Sequence, residues 1–138
     1  MTKIKNNLKE TAEIASLVFV SLVYTPINFC SNFLSKKIED EKHLEMMLKE
    51  EASKLQLDDK NIKARFGAAF FETAYCKRLF GENYEIVLDE RFRTKVVLRH
   101  ELYHIYKGDV GKKDTSLFRR IFLEEPRAIL YQTLGIKL

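Results

Sequence analysis

Apolar and polar positions along this chain change their period several times, and each change marks an element. Residues 14–35 (IASLVFVSLVYTPINFCSNFLS) carry no charge, yet Ser21, Thr25, Asn28, Asn32 and Ser35 recur every three or four positions. They leave a wide apolar face of Leu17, Val20, Val23, Ile27 and Leu34, the pattern of an amphipathic helix. From Ile38 to Leu57 a second helix is predicted, with Leu44, Met47, Leu48 and Leu55 on one face and charges on the other. Asp58-Asp59 ends it, and an extended stretch runs from Asn61 to Thr73. Within that stretch FGAAFFE (Phe66–Glu72) suits a strand, with Gly67 marking a bulge or a close backbone approach. Gly81-Glu82-Asn83 is a turn signal, and YEIVLDE (Tyr84–Glu90) reads as a second strand. Thr94–Lys107 predicts a helix closed by Gly108, and Ser116–Leu134 a last helical region interrupted or restarted at Pro126. The order implies an α+β domain with a small sheet.

Length and composition fit one globular domain, residues 38–138, preceded by the apolar helix of residues 1–37. The charge-free run is long enough to span a bilayer, but Pro26 and the polar stripe suit a helix shielded by the domain or a protein partner. Membrane contact through residues 14–35 is the alternative. Cys30 and Cys76 form no CxxC pair and read as free buried thiols of a reduced, cytoplasmic compartment. The formal charge of +4 is mild. Lys112, Lys113, Arg119 and Arg120 form the one basic cluster, without the interleaved aromatics of a nucleic-acid surface, so nucleic acid is not the expected partner.

Chemistry is concentrated in His100-Glu101-Leu102-Tyr103-His104, an HExxH motif. On a helix the side chains at i and i+4 project from one face, so two imidazoles can hold one metal ion, Zn2+ being the natural choice. Zinc brings the pKa of a bound water down towards ~7, and Glu101 sits where its carboxylate could take that proton as hydroxide attacks a carbonyl. A third protein ligand is needed. The chain has three histidines and none follows His104, so the ligand must be a carboxylate. Asp109 and Asp114 lack the glycine-flanked context of an aspartate ligand. Glu124 and Glu125 stand twenty and twenty-one residues after His104, far enough for the chain to turn and return.

TKVVLRHELYHIYKGD followed by Glu125-Pro126-Arg127-Ala128 resembles the gluzincin metallopeptidases, in which HExxH is completed by a downstream Glu-x-x-Ala. Residues 40–138 are most similar to the minigluzincins and the ImmA/IrrE-type zinc peptidases. The resemblance implies a minimal zincin-like domain and one zinc per chain. It implies His100, His104 and Glu125 as ligands, with Glu124 as fallback, and Glu101 as general base. Ala128 would be the small residue that lets the ligand helix approach the motif helix. FGAAFFE, through Gly67, Ala68, Ala69 and Phe70, would be the edge strand that pairs with extended substrate. Pro126 would put Glu125 at the beginning of its helix rather than the middle. For the oxyanion-stabilising group that amide hydrolysis requires, Tyr131 is the candidate, with Tyr103 as another. The expected activity is zinc-dependent hydrolysis of a peptide or protein substrate. A metal-binding regulatory or assembly module on the same fold, without catalysis, is the alternative.

Overall fold

The computed structural model describes residues 34–69, 73–111 and 124–137, together with Pro26 and Cys30. The expected apolar helix of residues 14–35 falls almost wholly outside the described residues, as do Phe70 and the basic cluster. No helix among the described residues is long and apolar enough to cross a membrane. Of the two thiols, Cys30 is exposed rather than buried, and Cys76 is half-buried.

Three helices and a three-stranded mixed sheet make an α+β fold. The elements are α1 (Glu41–Lys54), β1 (Asn61–Gly67), β2 (Ala74–Arg78), β3 (Asn83–Asp89), α2 (Lys95–Tyr106) and α3 (Glu125–Leu134). Asp40 starts α1 by accepting a hydrogen bond from the backbone N–H of His43 at 2.7 Å. Leu44, Met47 and Leu48 face the core from α1, as the periodicity predicts. That core is completed by Ile38, Leu55, Ile86, Leu88, Leu98, Leu102 and Tyr103.

The sheet departs from the two strands expected. Its order is β1-β3-β2, with β3 central, parallel to β1 and antiparallel to β2. The first strand is NIKARFG, not FGAAFFE: it stops at Gly67, and Ala68 and Ala69 lie outside any strand. The reason is topological. β1 and β2 flank β3 on opposite sides, so the chain between them must bridge two strand spacings, roughly 10 Å, over the end of β3. Asp89, at that end, accepts from the N–H of Ala69 at 3.3 Å and from the backbone and guanidinium of Arg91, which hold its carboxyl well below the usual range. Gly67 does mark a close approach, since a Cβ there would lie 3.0 Å from Val87 Cγ1.

Backbone donors at the start of α2 are unusually well served. Thr94 is the N-cap and accepts from the N–H of Val97, the Ser35 hydroxyl accepts from Val96, and the Lys36 carbonyl from Lys95. With the Thr94 N–H donating to the Phe92 carbonyl at 2.8 Å, all four N–H groups that a helix start leaves orphaned have partners. The chain is therefore tied to the domain from Ser35 onward, and Lys37 pairs with Thr94 in an antiparallel bridge.

Glu51 joins α1 to α2. Fully buried, it receives Arg99 Nε at 2.5 Å, Lys54 Nζ at 2.7 Å and Lys95 Nζ at 3.0 Å. Burial pushes its pKa up, but the hydrogen bonds from Arg99, Lys54 and Lys95 outweigh it and hold the carboxyl at about 2. A carboxyl whose folded pKa lies below its unfolded value of 4.5 gives stability that is complete above that value. It is lost as pH falls through the folded pKa. The shift corresponds to about 3 kcal/mol at neutral pH. Glu51→Gln is expected to lower unfolding free energy by roughly that amount at pH 7, with the gap to wild type closing as pH falls from 4.5 towards 2. Urea unfolding across this range measures it, and a gap independent of pH would refute the linkage.

Candidate metal centre

The HExxH residues lie in the second and third turns of α2, where helical spacing stacks His100 and His104 on one face. Their Nε2 atoms are 3.1 Å apart. Glu125, the first residue of α3, turns one carboxylate oxygen to each ring, with Oε2 3.2 Å from His100 Nε2 and Oε1 3.6 Å from His104 Nε2. The three residues form a metal-competent group, and among the described residues it is the one such group of histidines, cysteines and carboxylates.

The dimensions suit a small tetrahedral ion. With metal–ligand bonds of about 2.0–2.1 Å, two ligand atoms of a tetrahedron sit ~3.3 Å apart. The imidazole separation of 3.1 Å and the 3.2 and 3.6 Å from the rings to the two different oxygens of Glu125 lie near that value, and one donor atom from each residue lies within 4.8 Å of the others. The electrostatics agree. Burial pushes the His100 imidazole down, but the hydrogen bond it donates to Glu125 and the charges of Glu101 and Glu125, with Gln132, raise it overall. A positive charge is thus favoured where these groups meet.

Of the two adjacent glutamates, Glu125 reaches the imidazoles. Glu124 is buried one position earlier and is not in the donor group. About 100° separates neighbouring side chains on a helix, so the two cannot share a target. Pro126 does set Glu125 at the helix start. Ala128, one turn on, is fully buried, and Tyr103 of α2 stacks on Tyr131 of α3 with ring centroids 5.0 Å apart.

That stack occupies both tyrosines named as oxyanion candidates. Tyr131 is buried, and its phenol pKa is raised by burial first and then by Glu51. The other charges acting on it include Arg99 and Lys54, the partners of Glu51.

Glu101 is buried, and the helix that carries it packs against β2. Its charge acts on His100 and also on Cys76 of β2, whose thiol is pushed up by burial and then by Glu101. AYCKR (Ala74–Arg78), which packs against the motif helix, is an edge strand among the described residues and one the sequence did not reveal. Gly67 belongs to β1, on the far side of β3.

Two further side chains escaped the sequence reading. Gln132 Oε1 lies 3.0 Å from His100 Nδ1, and Asp109 Oδ2 lies 3.5 Å from His104 Nδ1. Asp109 had drawn notice only as a poor ligand candidate. Gln132 gave one signal, its place seven residues after Glu125 and hence on the same face of α3.

Comparison with protein-family models, with curated proteins and with solved structures finds no match for this chain.

Metal analysis of the purified chain is expected to give one zinc per protein. Zinc affinity should collapse in His100→Ala and Glu125→Ala and persist in Glu124→Ala. Loss in Glu124→Ala alone would overturn the ligand assignment.

Proposed function

We propose that this chain is a zinc-dependent metallopeptidase built on a minimal zincin-like domain, hydrolysing peptide bonds in a protein or peptide substrate. The observation that carries the reading is the convergence of His100, His104 and Glu125, whose donor atoms lie within 4.8 Å of one another, with Glu101 buried beside His100 in the same motif. Two imidazoles and one carboxylate leave one position of a tetrahedral ion for water or substrate, the pattern of catalytic rather than structural zinc sites.

His100, His104 and Glu125 would hold the ion. Bound zinc supplies Lewis acidity, which polarises a carbonyl and makes water a nucleophile near neutral pH. Glu101 is the proton carrier: its carboxylate accepts the proton that attacking water gives up and delivers it to the departing amine nitrogen.

Substrate is best accommodated in extended form along β2. This strand ends the sheet among the described residues and packs against the helix that carries Glu101, so a peptide added beside it would lie along the motif helix. Main-chain hydrogen bonds would supply most of the affinity, giving loose sequence preference. The assignment replaces the stretch Gly67–Phe70, because β1 lies across the sheet from Glu101.

Glu101→Gln keeps shape and removes the proton acceptor. It is expected to retain zinc and lose roughly 10²–10⁴-fold in cleavage of an unfolded protein substrate. Equal cleavage by variant and wild type would remove Glu101 from the role. Zinc binding with no cleavage by either would favour the metal-binding module without catalysis.

A further inference from the structure

A neutral imidazole carries one proton, and only the nitrogen without it can bind a metal. For both rings to offer Nε2, both must keep the proton on Nδ1, and something must receive it there. Gln132 Oε1 stands at hydrogen-bond distance, 3.0 Å, from His100 Nδ1, and Asp109 Oδ2 stands 3.5 Å from His104 Nδ1, where it makes no hydrogen bond but places its charge beside that nitrogen. Gln132 is buried in α3, two turns beyond Glu125. Asp109 follows Gly108, whose φ of +66° lets the chain double back at the end of α2. The Asp109 N–H then donates to the His104 carbonyl at 2.9 Å, bringing the aspartate's side chain to the ring of the same histidine. Arg127 of α3 lies 3.7 Å from Asp109 Oδ2 and braces that turn against the ligand helix.

We propose that Gln132 and Asp109 are the positioning residues of this centre, each fixing the tautomer and rotation of one imidazole so that two Nε2 lone pairs converge on one point. This inference rests on the metal-site reading above. Lone pairs facing each other at 3.1 Å, with a carboxylate opposite, repel unless a cation lies between them. The two outer partners thus arrange the rings in a way that a metal ion, or a proton on one Nε2, relieves. They are also unequal. Asp109 is an anion that can only accept, so it raises the donor strength of His104. Gln132 is a neutral amide that favours the correct tautomer only while its oxygen, not its nitrogen, faces His100. A flipped amide would move the His100 proton to Nε2 and close that position.

Zinc affinity by chelator competition, together with the visible ligand-field absorption of the chain loaded with Co2+, tests the proposal on the full-length protein. Gln132→Met keeps length and packing but removes the acceptor, and should weaken zinc ~10–100-fold and alter the cobalt spectrum. Gln132→Glu can only accept and should restore binding to at least the wild-type level. Asp109→Asn should weaken zinc about tenfold, with the melting temperature of the metal-free protein little changed. A purely structural role predicts lowered melting of the metal-free variants and no rescue by Gln132→Glu, and that result would overturn the proposal. Wild-type affinity and spectrum in both Gln132→Met and Asp109→Asn would overturn it while leaving the metal site standing. Failure of the wild-type chain to take up either metal would remove the site and this inference together.

Discussion

A glutamate on one helix reaches two imidazoles on another only if the helices lie within a side chain's length of each other, and here the α2–α3 contact sets that length. Ala128, fully buried, adds almost no bulk between them, and the Tyr103–Tyr131 stack fills the contact further on. A larger residue at 128 would push the Glu125 carboxylate outward, and overpacking of a filled interior generally costs about 1–3 kcal/mol. Shape complementarity between two helices is thus a condition for the chemistry as well as for stability.

The rotation of α2 about its own axis matters as much as its position. Arg99 and His100 are neighbours, so their side chains leave the helix about 100° apart. Arg99 is bound to the buried Glu51 on α1, and His100 is bound to Gln132 on α3. Two contacts in different directions fix the helix against turning. At its N-terminus the Ser35–Lys37 segment supplies caps, and at its C-terminus the Gly108–Asp109 turn folds back onto His104. The motif helix is restrained at both ends and on two sides, while α1 and the sheet supply the apolar floor beneath it.

Helices were legible in the sequence because their apolar period and caps are local. Leu44, Met47 and Leu48 mark α1, and Thr94 and Gly108 bracket α2. The sheet was legible only in part. β3 is a buried central strand and reads as an apolar run, but FGAAFFE also reads as one and leaves the strand after Gly67. Alternation in NIKARFG, with Ile62, Ala64 and Phe66 against Asn61, Lys63 and Arg65, was the better signal for β1. AYCKR is only five residues long and half polar, and its strand state depends on pairing with β3. At the site, the three donors and Glu101 followed from a motif and a resemblance. Gln132 could not be found that way, because it lies 32 residues from His100 and its part depends on how an imidazole is rotated.

The return turn at Gly108–Asp109 and the face of α3 together let the whole centre be written on one line. His100, Glu101, His104 and Asp109 give H-E-x-x-H-x-x-x-x-D, and Glu125, Ala128 and Gln132 give E-x-x-A-x-x-x-Q. Each spacing has a mechanical meaning: four residues for two rings on one face, five for a chain that doubles back, three and seven for one stripe of a helix. A single insertion inside α3 would swing Gln132 about 100° away from Glu125 and divide the stripe. Length in the connection between α2 and α3 carries no such penalty in phase. The grammar of this site is therefore two rigid words and an elastic space, and a chain that keeps the words can be recognised whatever lies between them.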